Sequence, residues 1–150
     1  MKICLVCSHG GHFEEMKCIE KAFKDYEYFY VTFKSKSNND WENSYLLEPK
    51  ISKITGKHER FRIFYHAFRI FVKENPDVVV TTGGGEIAVP FSYVGKLFGA
   101  KIIFLETLTR INTKSAAGKY IYPISDLFLV QWESLLSQYG DKAKYWGRIL

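Results

Sequence analysis

Residues 2–16 read K-I-C-L-V-C-S-H-G-G-H-F-E-E-M. An apolar run of strand length hands over, through two glycines, to a stretch with helical spacing. Met16, Ile19 and Phe23 share one helical face, and Tyr26 to Phe33 is again strand-like. Strand, helix and strand in that order make a βαβ unit, with Lys2–Cys7 and Tyr26–Phe33 parallel and the helix spanning Gly11 to Lys24.

The rhythm continues outward. Lys34 to Asn43 is polar and reads as a mobile loop, and Ile51 to Ile54 as a short third strand. Glu59 to Asn75 is helical and closed by Pro76. Asp77 to Thr81 is a β-branched run suited to a central parallel strand. Gly83-Gly84-Gly85 then turns into a helix with Ile87, Phe91, Val94 and Phe98 on one face, stopped at Gly99. Lys101–Leu105 and Leu127–Val130 are strands, and Ala116–Ile121 and Trp132–Tyr139 are helices. No linker divides the chain, so residues 1–150 are expected to form one Rossmann-like α/β domain, a parallel sheet with helices on both faces.

The composition suits such a domain: 47% hydrophobic, 25% charged and, unusually, 17% aromatic. Rings in that number exceed what a small core hides, which points some of them at a partner, a ligand or a membrane. The net charge of +5 favours anionic partners. No Lys/Arg run has the density of a nucleic-acid tail, so nucleic acid is not an expected partner. No apolar run approaches the ~20 residues that span a bilayer. Cys4 and Cys7 resemble a C-x-x-C pair, but residues three apart on a strand face opposite sides and are expected to be separate core thiols.

In open parallel sheets ligands bind beyond the carboxyl ends of the strands. Ser8–His12, Thr81–Glu86 and Glu106–Arg110 all fall on that edge. Glycines let backbone amides approach an anion, and a helix N-terminus adds partial positive charge, so Ser8, Gly10, Gly11, Gly83, Gly84 and Gly85 are candidate diphosphate contacts. S-H-G-G-H lacks G-x-G-x-x-G, and no GK[ST] follows, which argues against dinucleotide cofactors and P-loop chemistry. His12 falls in the first helical turn, where the dipole is expected to lower its pKa and leave a neutral base or donor. Glu106 follows I-I-F-L; its carboxylate either emerges at the ligand edge or caps a loop. Glu86 is expected to cap its own helix.

The helix containing F-R-I-F-Y-H-A-F-R-I-F-V-K gathers Arg62, His66, Arg69 and Lys73 on one stripe and is apolar elsewhere. That arc is about twice the roughly 100° needed to cover a sheet. Either the helix is buried on all other sides, or Phe61, Arg62, Phe68 and Arg69 meet a membrane interface.

S-H-G-G-H-F-E-E-M, T-T-G-G-G, K-Y-W-G and above all F-L-E-T-L-T-R-I-N-T-K-S-A-A-G-K-Y-I-Y-P-I-S-D-L-F-L-V-Q-W resemble a known family. This is the acceptor-side subunit of two-part UDP-N-acetylglucosamine transferases of lipid-linked oligosaccharide assembly, the asparagine-linked glycosylation fourteen family, whose bacterial relatives include PssD and CpsF. The resemblance implies the N-terminal half of a MurG-type GT-B glycosyltransferase, with a separate donor-binding subunit supplying the other half. It implies a lipid-linked saccharide acceptor, UDP-sugar as substrate, and no metal or other cofactor. His12 and Glu106 would be catalytic, and Arg110 would orient acceptor or diphosphate. Trp146, Ile149 and Leu150 would meet the partner, or a second copy of the chain in its absence. Eukaryotic members carry an N-terminal membrane-spanning anchor; here the aromatic-basic helix is expected to replace it, placing the protein peripherally on the cytoplasmic face. A non-catalytic anchor and a stand-alone Rossmann enzyme acting on a nucleotide or sugar phosphate are the competing classes.

Overall fold

The computed structural model describes residues 1–35, 42–48 and 56–149. Among the described residues there are seven strands: β1 (Lys2–Cys7), β2 (Glu27–Phe33), β3 (Ser44–Leu47), β4 (Val78–Gly83), β5 (Lys101–Leu105), β6 (Leu127–Val130) and β7 (Ala143–Tyr145). They form one sheet in the order β3-β2-β1-β4-β5-β6-β7, and every neighbouring pair is parallel. The helices are α1 (Gly11–Glu20), α2 (Gly56–Glu74), α3 (Gly85–Leu97), α4 (Ala116–Ile121) and α5 (Ser134–Tyr139), with a 3-10 turn at Lys21–Phe23 after α1. The Rossmann-like expectation is met. The strand beside β2 is Ser44–Leu47; the one expected at 51–54 lies outside the described residues, as does most of the expected loop at 34–43. β7 is an additional edge strand.

The strands alternate their side chains between two unequal layers. One face packs Cys4, Val6, Val31, Val79, Ile102, Phe104 and Phe128 against α2, α3, α4 and α5, through residues such as Ile63, Phe71, Phe91, Ile121 and Leu135. The other packs Ile3, Leu5, Cys7, Tyr30, Val78 and Val80 against α1 through Met16, Phe13 and Ile19. Cys4 and Cys7 therefore belong to different layers, as their spacing requires, and both are free, buried thiols. Burial pushes the Cys7 thiol up to about 12.

α2 departs from both simple readings of its pattern. Ile63, Ala67, Ile70 and Phe71 enter the core. Phe61 (75% exposed), Phe64, Tyr65, Phe68 and Val72 do not, and Leu97 at the end of α3 and Phe98 just after it are exposed as well. The fully buried helix is thus excluded. Arg62 is not a free cation: its guanidinium donates to the Glu59 carboxylate and to the Glu48 carbonyl (2.7 Å). Arg69 is exposed and lies over the Tyr65 ring. Among the described residues, no helix is long and apolar enough to cross a membrane.

Candidate functional site at the β1/β4 seam

The chain leaves β1 toward β2 on one side and returns from β3 to β4 on the other, so the order reverses between β1 and β4. Both glycine turns leave the sheet at this switch point, where a parallel sheet opens a crevice. Gly10 (φ 82°) precedes α1 and Gly84 (φ 85°) precedes α3, and neither helix has a side-chain cap. The first donors returning into each helix are Phe13 and Glu14 to the Gly10 carbonyl, and Ile87 and Ala88 to the Gly84 carbonyl. The amides of Gly11, His12, Gly85 and Glu86 therefore have no acceptor within their own helices. Glu86 is exposed and makes no capping bond, contrary to expectation.

The two turns fit closely. A Cβ on Gly84 would lie 2.5 Å from the Ser8 Cβ and 2.8 Å from its backbone nitrogen, so nothing but glycine permits this approach. A Cβ on Gly83 would meet the His12 ring at 2.9 Å. Gly10 and Gly11 have open space around the same position. Ser8, Gly10, Gly11, His12, Gly83, Gly84 and Gly85 thus share one neighbourhood.

A bulge fixes His12 in it. β1 and β4 slip register, with Val6 opposite Thr81 and Cys7 opposite Gly83, leaving Thr82 as the extra residue. Its carbonyl accepts from His12 Nδ1 (2.8 Å) and its hydroxyl donates to the His12 carbonyl (2.6 Å). The expected lowering of the histidine pKa is reversed. Glu15, one turn further along α1, holds a carboxylate oxygen 3.7 Å from Nδ1; together with the Thr82 carbonyl and the charge of Glu106 it raises the imidazole above its ordinary value, against the opposing effect of burial. The helix dipole is only half a charge and is outweighed by a whole one at this distance.

Glu106 does not emerge at the ligand edge. It is 1% exposed, and the loop-capping alternative describes it. Its Oε1 accepts from the Thr107 amide (2.9 Å); its Oε2 accepts from the Ser115 amide (3.2 Å) and hydroxyl (2.9 Å) and from the Tyr139 phenol. Burial and this carboxylate push the Tyr139 phenol well above its ordinary pKa, so it stays a donor. The Ser115 hydroxyl also caps α4 by accepting from the Gly118 amide (2.8 Å). Trp132 Nε1 donates to the Leu108 carbonyl (2.7 Å), and Gln131 donates to the Glu106 carbonyl (3.0 Å) while accepting from the Ile149 amide (3.2 Å). These bonds hold residues 106–115 in one shape. Arg110 rides on the exposed side of that loop, 3.4 Å from the Thr113 hydroxyl.

Thr82 and Glu15 were not singled out from the sequence. Glu15 had a signal: it stands beside Met16 and four residues before Ile19, at a core-facing position where an acid needs partners. Of the three residues expected at a partner interface, Trp146 is 72% exposed, Ile149 is half-buried with its amide bonded to the Gln131 side chain, and Leu150 lies outside the described residues. The nearby Arg148 guanidinium stacks on the Trp132 ring at 3.8 Å.

Residues 49–149 match the model of the Alg14-like oligosaccharide biosynthesis family. The chain belongs to that family. Among Alg14 relatives, the UDP-N-acetylglucosamine transferase subunit ALG14 of Candida albicans is 41% identical over 85 residues, covering 53% of this chain and 38% of that protein. The mouse protein of the same name is 30% identical over 109 residues, 69% of this chain and 49% of its own. The chain therefore spans less than half the length of these curated relatives. By structure, it superposes on Acinetobacter baumannii MurG with a TM-score of 0.79 at 12% identity, over 97% of this chain and 45% of MurG. The UDP-bound Staphylococcus aureus MnaA gives 0.77 at 14% identity, over 99% and 45%. The Alg14-like chain thus has the Rossmann-like fold that makes up about half of a GT-B protein, which agrees with the resemblance.

Proposed function

We propose that this chain is the acceptor-side subunit of a two-part glycosyltransferase that moves N-acetylglucosamine or a related hexose from a UDP-sugar to a polyprenyl-diphosphate-linked saccharide. The observation that carries the reading is the pair of uncapped helix N-termini, α1 and α3, opening side by side at the switch point with His12 between them. Such a place favours a diphosphate, because amides and dipoles act together on one anion. In this reading the amides of Gly11, His12, Gly85 and Glu86 hold the phosphate oxygens, His12 adds a donor, and Ser8 lines the floor. Glu106 acts at one remove, by holding the loop that carries Arg110. The names of the Alg14 relatives support the donor sugar and the status of subunit.

A separate donor-binding subunit completes the cleft in this proposal, docking near Trp146, Ile149 and Leu150. No metal takes part in this proposal, since helix dipoles and loops stabilise the leaving UDP. The test is a transfer assay with UDP-N-acetylglucosamine and a lipid-linked acceptor, run with and without the donor-binding subunit and with and without EDTA. Transfer is expected only with both polypeptides, and undiminished by the chelator. Transfer by this chain alone at ordinary enzymatic rates would overturn the two-part reading. Full activity of the other subunit alone would leave this chain a mere anchor.

In the same proposal the protein lies against a membrane, with the exposed aromatics of α2 inserted and Arg69 at the headgroups; the exposure of those rings supports this. Arg62, already bound to Glu59 and Glu48, is not needed for it. Replacing Phe61 and Phe68 together by serine is expected to lower the fraction co-sedimenting with anionic liposomes several-fold, with circular dichroism unchanged. Undiminished binding would remove α2 from the interface.

A further inference from the structure

Glu15 is buried, and its two oxygens differ. Oε1 accepts from the Leu108 amide (2.7 Å) and the Thr107 hydroxyl (2.9 Å), which ties α1 to the loop after β5. Oε2 is buried without a hydrogen bond, and the His12 ring nitrogen Nδ1 lies 3.7 Å away. Nδ1 in turn faces the Thr82 carbonyl, which can only accept, so Nδ1 carries a proton in either state of the ring. The proton that comes and goes is the one on Nε2. A buried carboxylate with an unpaired oxygen requires a countercharge, and the His12 ring is in reach.

We infer that Glu15 is a positioning residue: its buried carboxylate fixes the His12 ring against Thr82 as an imidazolium, so that Nε2–H meets the bound anion as a charged donor rather than as a base. The inference rests on the diphosphate reading above and assigns a residue that reading does not need. The charges acting on the ring are Glu15 from its own helix and Glu106 from the loop after β5, both anionic, while β4 contributes the Thr82 carbonyl. Because the folded-state value is raised, protonated His12 adds stability that is fully present below the ordinary histidine value. That contribution is lost as pH rises through the raised one. Anion affinity is expected to follow the same sign, weakening as pH rises, whereas turnover that used His12 as a neutral base would rise.

The test is an NMR titration of the histidine Cε1–H signals in the full chain, with His12 assigned by His12→Gln. It is run on the wild type and on Glu15→Gln, whose amide oxygen still serves Thr107 and Leu108. The wild-type His12 midpoint is expected above that of free histidine, and lower in Glu15→Gln. Inorganic pyrophosphate, added at a pH between the two midpoints, is expected to bind Glu15→Gln about tenfold more weakly, the difference between a charged and a neutral donor. A wild-type midpoint at or below that of free histidine, or one unmoved by Glu15→Gln, overturns the inference. If Glu15→Gln does not fold, the wild-type midpoint decides alone. If the midpoints behave as expected while pyrophosphate leaves His12 undisturbed, the diphosphate reading fails and the Glu15–His12 pair stands.

Discussion

Gly84→Ala is expected to lower stability by about 2–5 kcal/mol and to abolish both pyrophosphate binding and transfer. The positive φ at this position costs a side chain roughly 1–2 kcal/mol. The added methyl would also lie 2.5 Å from the Ser8 side chain and 2.8 Å from the Ser8 nitrogen, and overpacking of that kind costs about 1–3 kcal/mol. The backbone of Ser8 cannot swing aside as a side-chain tip can, so the β1 and β4 turns must separate. Gly11→Ala is the control. Gly11 opens α1 with no atom near its missing Cβ, so alanine fits, and the melting temperature should hold. Its methyl would nevertheless stand at the helix N-terminus, where the proposed diphosphate would approach. Denaturant titration of both variants checks the contrast; equal losses of stability would mean that the two glycines have no separate roles.

Glu106→Ala is expected to cost about 3–5 kcal/mol, because several buried donors lose their acceptor together and each unsatisfied group costs about 1–3 kcal/mol. Thr107, Ser115 and Tyr139 would all lose their acceptor, and α4 the anchor of its cap. Glu106→Gln keeps the shape but turns an amide donor toward other donors, so an intermediate loss is expected. Any fall in turnover should then follow the folded fraction and recover on cooling. Wild-type melting combined with a hundredfold lower turnover would return Glu106 to the chemistry itself.

The fold was legible because periodicity carries it. V-V-V-T-T and I-I-F-L announce buried parallel strands, and the spacing of Ile87, Phe91 and Val94 announces the helix between them. β7 escaped because three residues, Ala143–Tyr145, are too few to show a period. The sheet edge that gathers the candidate site residues could be read from the glycines, whereas the state of their side chains could not. Whether Glu106 points out or in depends on Ser115 and Tyr139, nine and thirty-three residues away. The protonation of His12 depends on Glu15, close in sequence, but also on how deeply Thr107 and Leu108 bury that carboxylate. Such facts belong to packing between elements, which no local pattern records. α2 shows the converse: its excess of rings was plain, but only the placement of α3 reveals which rings lie outside.

The seam between β1 and β4 also bears on how the protein is made. β1 leaves the ribosome well before its partner on this side, which lies about seventy residues later: His12 must find Thr82, and Lys2 must find Asp77. Closing a loop of that length is entropically costly and is repaid only once long-range pairing is complete, which makes such contacts late in folding. A nascent chain that has paired β1 with β2 already owns a hydrophobic strand with one bare edge, and it keeps that edge until β4 arrives. The proposed site is therefore among the last things to form, and intermediates that expose β1 have no means of gaining stability from a ligand there. Protection from aggregation during that interval has to come from the speed of β4 docking or from a chaperone.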